Sequence, residues 1–322
     1  MTYLENSKQY TGSDLENIFF RPMLTGESAQ DLGVRVLYNM PQPTHVQLWD
    51  GQRNILQKFT SAGWAGGKAA TKYEKTVNLN RVKAELGFSA ANYFSMVYEK
   101  VSSLVNTHMD DLSGTELEQA ETALFKQALA ENIRVTMWIG DTSAASGYNT
   151  FDGLLKRING LVDDDGVYNF SYQAAALEDP AYAVELFDKL WAGADPRIPG
   201  LKADDRLAYF VSSDIYRLYE KYLDAKGADA AYADAMNGRR TLAYHGIPVV
   251  DVRLGSYLRA TSFRQSFVML TDRRNLVLAV NTADMPGNEV RMWYNPDEME
   301  NRQRAVFMAG TQILDEALIS FA

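Results

Sequence analysis

The sequence predicts an α+β chain in which a β-rich first part, one long helix and a series of β-α units share a single molecule. Three observations lead there. Period-two alternation marks residues 34–38, 46–48 and 73–79, the spacing of strands with one buried face. A helical pattern then runs without a breaker from about residue 113 to 134. Apolar strand-like runs and amphipathic helices alternate from about residue 181 to 281. With 322 residues, 46% apolar and 23% charged, the chain has the composition of an ordinary folded protein and can bury a sizeable core.

Taken in order, residues 1–32 carry little periodicity and are expected to form an extended N-terminal arm with one short helix near the apolar patch Ile18–Phe20. Residues 33–86 read as a long β-excursion. Val34, Val36 and Tyr38 share one face, and Val46 and Leu48 follow the breaker Met40-Pro41-Gln42-Pro43. The stretch Trp49–Thr71 holds four glycines. After it, Tyr73, Lys75, Val77 and Leu79 oppose Lys72, Glu74, Thr76 and Asn78, so two strands flank a glycine-rich tip.

Tyr93, Val97, Val101 and Leu104 then fall at helical spacing. A second helix starts at the capping box Ser113-Gly114-Thr115-Glu116 and extends to about Ile133, on the order of 30 Å. Arg134–Ile139 (RVTMWI) reads as a short strand leading into GDTSAASGYNTFDG. Next come a turn at NGLVDDDGVYN, a helix in AYAVELFDKLWAG, the connector Ala194–Gly200 and the strand LAYFVS. The helix after it is capped by Ser212 or Ser213 and ended by Gly227, with Ile215, Leu218, Tyr219 and Tyr222 on one face. TLAYHGIPVVDV, FVMLT and LVLAV read as strands, the last two joined by Asp272-Arg273-Arg274-Asn275. VRMWY, a polar turn and a final strand or helix close the chain.

Composition excludes several function classes. No cysteine is present, which removes disulfides, thiolate nucleophiles and cysteine-ligated metals. No apolar run reaches membrane-spanning length, and the N-terminus lacks a basic and then apolar leader, so neither a membrane partner nor secretion is expected. A net charge of −9 argues against a dedicated nucleic-acid binder, with the pairs Arg239-Arg240 and Arg273-Arg274 as solvated turns.

Motifs for catalysis are weak. Ala62–Thr71 fails the phosphate-loop pattern twice, because Ala62 replaces its first glycine and Ala69 follows Lys68. His45, His108 and His245 lie in separate segments without metal-ligand spacing, and His245 reads as a strand-end residue before a bend. Asp163-Asp164-Asp165-Gly166 lacks the later ligands of a calcium loop. No GxSxG elbow is present, and no cofactor or metal is expected.

One constellation remains. Trp138, Gly140, Asp141 and Thr142, then Asn149, Asp152 and Gly153, stand between the long helix and the next one. This arrangement resembles the major capsid proteins of tailed double-stranded DNA phages, in particular those of crAss-like and related phages of Bacteroidetes. LAYFVSSDIYRLYEKYL, Tyr244–Val249, Thr271–Val277 and the closing VRMWYNPDEMENRQRAVFMAGTQI follow in the family's order.

The resemblance implies the Hong Kong 97-like capsid fold. Its parts would be an N-terminal arm at 1–32 and an E-loop hairpin at 33–86. A peripheral domain would comprise 87–169 and 286–322, with a spine helix at about 113–134, and an axial domain would comprise 170–285. It implies a non-enzymatic protein that assembles with itself into hexamers and pentamers of an icosahedral virion shell, formed in the host bacterial cytoplasm. Portal, scaffolding or decoration proteins would be partners, and packaged DNA a non-specific neighbour.

Under this reading the constellation is architectural. Gly140 and Gly153 permit tight turns, Asp141 and Asp152 brace them, and loss of Asp141 lowers assembly. The arm and excursion gain order on neighbouring subunits, with Trp49, Trp64 and Lys68 as candidate interface residues. Two alternatives are an encapsulin-like compartment and a soluble hydrolase using Asp141 and His245.

Overall fold

A fourteen-residue strand whose burial alternates over its first ten residues organises the first half of the structure. In this computed structural model the described residues are 8–21, 34–40, 44–49, 72–89, 116–161, 167–202, 205–227, 242–259, 261–283, 287–298 and 300–322. The long strand is β13 (Glu300–Ile313), in which Asn301, Gln303, Ala305, Phe307 and Ala309 point inward and the residues between them face outward. That alternation is the signature of an antiparallel sheet with one covered face.

On one edge of β13 lies β5 (Asn80–Ser89); on the other lie β12 (Glu289–Asn295) and β11 (Leu276–Asn281). The outer partners are β1 (Lys8–Tyr10), antiparallel to β12, and β2 (Arg35–Tyr38), parallel to β11. The β-excursion therefore divides. Only β3 (Thr44–Trp49) and β4 (Lys72–Val77) form a separate two-stranded hairpin, whereas β2 and β5 belong to the main sheet. The predicted single strand across 73–79 breaks at Asn78-Leu79, where Val77 and Leu79 both turn inward to pack with Val46, Val277 and Leu314.

The inner face of this first sheet is covered by the long helix α2 (Glu116–Ile139), whose Phe125, Leu129 and Ile133 are buried in the same core as Phe307. Here the structure corrects the sequence reading, because Arg134–Ile139 is the last part of α2 and not a strand. Every side chain from Ile133 to Ile139 is buried. A helix covered on all sides has no polar stripe, so its short apolar run carries the same pattern as a buried strand. After a loop, α3 (Leu154–Leu161) returns against β13.

The second sheet has the order β6-β14-β10-β7-β9-β8. Its strands are β6 (Tyr168–Asn169), β7 (Leu207–Val211), β8 (Leu242–Tyr244), β9 (Ile247–Asp251), β10 (Val268–Asp272) and β14 (Ile319–Phe321). Strands β7 and β10 are buried at every residue, which explains their unbroken apolar runs. One face carries α4 (Ala181–Ala192) and α6 (Ser213–Lys226), through Phe187, Leu190, Ile215 and Tyr219. The other packs Phe210, Met269 and Phe321 into the core that holds the end of α2. The short helix α5 (Ile198–Lys202) begins within the predicted connector and runs past its end, and α7 (Gly255–Leu258) follows β9.

TLAYHGIPVVDV is a hairpin and not one strand. His245 and Gly246 form its two-residue turn with φ of 49° and 77°, the left-handed pair that a twisted hairpin favours. The turn Arg273–Asn275 leads from β10 in the second sheet to β11 in the first, and Glu316–Leu318 leads from β13 back to β14. The division expected at 285–286 thus falls after a strand that already lies in the first sheet, because LVLAV is apolar enough to suit either one.

The N-terminal segment brings a further correction. Residues 8–21, which include the short helix α1 (Gly12–Asp14), do not extend away: Leu15, Phe19 and Phe20 are fully buried in the main core. The predicted helix Tyr93–Leu104, the capping residues Ser113–Thr115, His108, Asp163–Asp165 and Arg239-Arg240 lie outside the described residues.

Candidate functional site

The constellation after α2 is built on two glycines pressed against each other's backbone. Gly140 N–H still closes the helix, donating to Thr136 O at 2.8 Å, while Gly140 O accepts from Gly153 N at 2.8 Å. A Cβ on Gly140 would stand 2.2 Å from Phe151 O and 2.6 Å from Thr136 O. One on Gly153 would stand 2.5 Å from Gly140 N and 2.6 Å from Trp138 O. Close approach, not a left-handed turn, demands glycine at both places, since neither has positive φ. The expected tight turns are thus replaced at both glycines by close backbone contact.

Trp138 lies beneath this contact, fully buried, with its ring 5.6 Å from Phe210 and 6.2 Å from Phe267. It anchors the end of α2 to the second sheet. Arg134 secures the same helix end by donating from Nη1 to Val252 O at 2.6 Å and from Nη2 to Glu131 at 2.6 Å.

Above the glycines, two carboxylates brace the loop. Asp141 Oδ1 accepts from Ser143 N at 2.9 Å and from Ser143 Oγ at 2.5 Å. Asp152 Oδ1 accepts from Thr142 N at 2.9 Å and from Thr142 Oγ1 at 2.7 Å. Asn149 Nδ2 donates to Ala144 O at 3.1 Å, and Asp141 N to Tyr148 O at 2.9 Å. Lys156 on α3 ties the two sides together, with Nζ 2.6 Å from Asp141 Oδ1 and 2.7 Å from Asp152 Oδ1.

The electrostatics follow from that bridge. Hydrogen bonds from Lys156 and then from Ser143 hold Asp141 at a pKa of about 2, below its ordinary 3.8. Partial burial works to raise the pKa of Asp152, but the hydrogen bonds from Lys156 and Thr142 outweigh it and lower it. Lys156 is raised in turn by Asp141 first and Asp152 second. Both carboxylates are thus fixed as charged acceptors with their protons far out of reach at neutral pH. A general acid or base needs the opposite, a pKa near the working pH.

The structure therefore brings all seven residues of the constellation together as a brace between α2, α3 and β13, where Thr311 Oγ1 also donates to Asp152 O. His245, the residue paired with Asp141 in the hydrolase alternative, is in the β8–β9 turn, and no hydrogen bond or ion pair joins the two. Of the candidate interface residues, Trp49 ends β3 opposite Lys72, and only its backbone is described. Trp64 and Lys68 lie outside the described residues.

Sequence reading missed Lys156, although it stands four residues after Asp152 in the first turn of the helix that follows. It also missed Thr311 and Arg157, whose Nε donates to Thr311 Oγ1 at 3.2 Å. No local signal points to that pair, because a strand 154 residues later supplies the partner.

Beside the loop, a groove of about 500 Å³ runs between β5 and α2. Its lining is mostly apolar, including Val82, Leu86, Phe125, Leu129 and Phe151. Lys83 and Glu85 at its rim pair with each other at 2.8 Å, and Asn132 and Thr136 bond backbone carbonyls of their own helix. Such walls suit packing. Among the described residues no cluster of three or more metal-ligating side chains occurs.

No family model and no curated protein matches the chain. Solved structures do. Over 94% of this chain and 96% of the other, the fold superposes on a chain of a satellite phage P4 procapsid that includes a size determination protein, with a TM-score of 0.55 and 10% identity. The fold is Hong Kong 97-like. More distant likenesses to this Hong Kong 97-like chain include the capsid of a native GTA particle, at a TM-score of 0.48, 12% identity and coverage of 92% and 90%. The SrpI encapsulin of Synechococcus elongatus PCC 7942 gives 0.46, 10%, and coverage of 88% and 83%. Within the Hong Kong 97-like fold, the braced glycine loop sits where the long helix ends and the two sheets meet.

Proposed function

We propose that this chain is a major capsid protein, which assembles with itself into hexamers and pentamers of an icosahedral shell around a double-stranded DNA phage genome. The observation that carries the reading is the fold across nearly the whole chain, shared with a procapsid subunit end to end. A charged, braced loop and an apolar groove without a poised acid or base are consistent with it.

In this reading β3–β4 and the residues between them are the E-loop, α2 is the spine helix of the peripheral domain, and the second sheet with α4 and α6 is the axial domain. The Trp138–Gly153 constellation, together with the motif order after it, supports a place among capsid proteins of crAss-like phages. Portal, scaffolding and decoration proteins would meet the assembled shell in the host cytoplasm, and DNA would lie against its inner surface without sequence readout. Trp49, Trp64 and Lys68 would contribute to contacts of the E-loop with a neighbour.

Expression followed by sedimentation and negative-stain imaging tests the proposal. Uniform shells, tubes or capsomers are the expected outcome. A monodisperse monomer or dimer under every condition, including co-expression with scaffolding and portal genes, overturns it.

A further inference from the structure

An N-terminal arm that serves neighbours should contribute little to its own subunit. We propose instead that residues 8–21 are a strap that completes the core of their own chain, and that it stays bound in cis when copies associate. The segment touches four elements of its own chain, β12, β13, α2 and β2. Its strand β1 pairs with β12 in the register Lys8–Met292, Gln9–Arg291 and Tyr10–Val290. Gln9 Nε2 adds a 2.7 Å bond to Glu289, a carboxylate that also receives Arg291 at 3.1 Å and Arg304 at 2.7 Å.

The following turn, Leu15–Phe20, is a π-helix, and its wide i→i+5 geometry aims Leu15, Phe19 and Phe20 inward together. All three are fully buried. Phe20 meets Phe307 of β13 edge to face at 4.9 Å, and Phe19 meets Tyr10 at 5.0 Å under the Lys126 ammonium of α2. The far end is tied to β2. Arg21 pairs with Glu16 at 2.6 Å and lies over the Tyr38 ring, while Asn39 donates to Glu16 and its Oδ1 accepts from Thr282.

Withdrawal of this strap would open the inner core of the first sheet along Phe307 and leave the β12 edge unpaired. Transfer to a neighbour would require every subunit to receive an identical strap in return. The cis arrangement needs no such exchange, and it leaves contacts between copies to other parts of the molecule.

Because the chain has no cysteine, a single introduced pair reports the connection without background. Gln9→Cys with Arg291→Cys places thiols on directly opposed residues of an antiparallel pair, within disulfide reach. The oxidised protein, both free and in whatever assembly it forms, is run on a non-reducing denaturing gel with thiol titration. Single-chain species with thiols consumed are expected in both. Disulfide-linked dimers or ladders overturn the proposal, as do thiols that stay free. Absence of any assembly would count against the shell reading alone, since the free chain still reports the strap. As a second measurement, Phe19→Ala with Phe20→Ala should lower the melting midpoint of the free chain by on the order of 10 °C. An unchanged midpoint would mark a dispensable arm and also overturn it.

Discussion

Lys156 holds two carboxylates with one ammonium, and its sign and placement make the loop after α2 sensitive to acid in a defined window. The folded pKa of Asp141 is depressed to about 2 from an ordinary 3.8. The stabilisation is therefore present above the ordinary value and is lost as pH falls through the folded one. Side chains of Lys156, Asp141 and Asp152 are 29%, 26% and 32% exposed, so solvent screening keeps the bridge to about 0.5–1 kcal/mol. Lys156→Met should lower the melting temperature by about 1–3 °C at neutral pH, with the difference shrinking as pH drops from about 4 to 2. A difference that persists undiminished at pH 2 would show that lost packing, not lost charge, causes it. At this scale the sequence was informative where partners are local. Asp141 stands two residues from the Ser143 amide it accepts from and Asp152 ten from that of Thr142, within one loop, whereas Thr311 reaches Asp152 only because the chain folds back.

Among the elements, the junction of α2 and α3 shows why glycine stands where it does. Gly140 needs the absence of a Cβ, with Phe151 O only 2.2 Å from where that atom would lie. By contrast, Gly160 within α3 has nothing within 4 Å of the same atom. Gly140→Ala should cost about 1–3 kcal/mol through forced backbone movement, and Gly160→Ala should gain about 0.5 kcal/mol from helix propensity. Chemical denaturation of the two variants measures both. Equal effects would mean that the close approach of Gly140 and Phe151 carries no energy. The same junction explains the misread end of α2. Helix and strand are told apart in sequence by a polar face, and Ile133–Ile139 has none because both sheets and α3 surround it. A helix with one solvated face, such as α6 with its αL glycine at Gly227, is legible in its extent and in Ile215, Leu218 and Tyr219, though Leu223 and not Tyr222 is its fourth buried residue.

For the whole molecule, the sharing of one core by two sheets decides how it unfolds. Trp138 contacts Phe210 and Phe267 of the second sheet's side while its helix lies on the first, so neither sheet can lose its packing alone. That connection is long-range and leaves no pattern in the sequence, so sequence alone does not tell to which sheet LVLAV belongs. The two strand connections between the sheets converge on Asn275, which is buried. Its Nδ2 donates to Asp315 O at 2.8 Å and to Thr271 Oγ1 at 3.1 Å, and its Oδ1 accepts from Asp315 N at 2.7 Å. Arg197, in the turn just before the short helix α5, adds a 2.8 Å ion pair to Asp315. Asn275→Ala would leave the half-buried Asp315 amide without its acceptor, while Asp315 O keeps its bond from Leu318 N at 3.3 Å; the loss, about 1–3 kcal/mol, should lower the melting temperature by about 2–4 °C. Because the core is common, that variant should still melt in one step, with far-ultraviolet and near-ultraviolet circular dichroism changing together. Two separated transitions would instead mean that the sheets are independent units held by Asn275 and its neighbours, and that the shared core around Trp138 contributes little to their coupling.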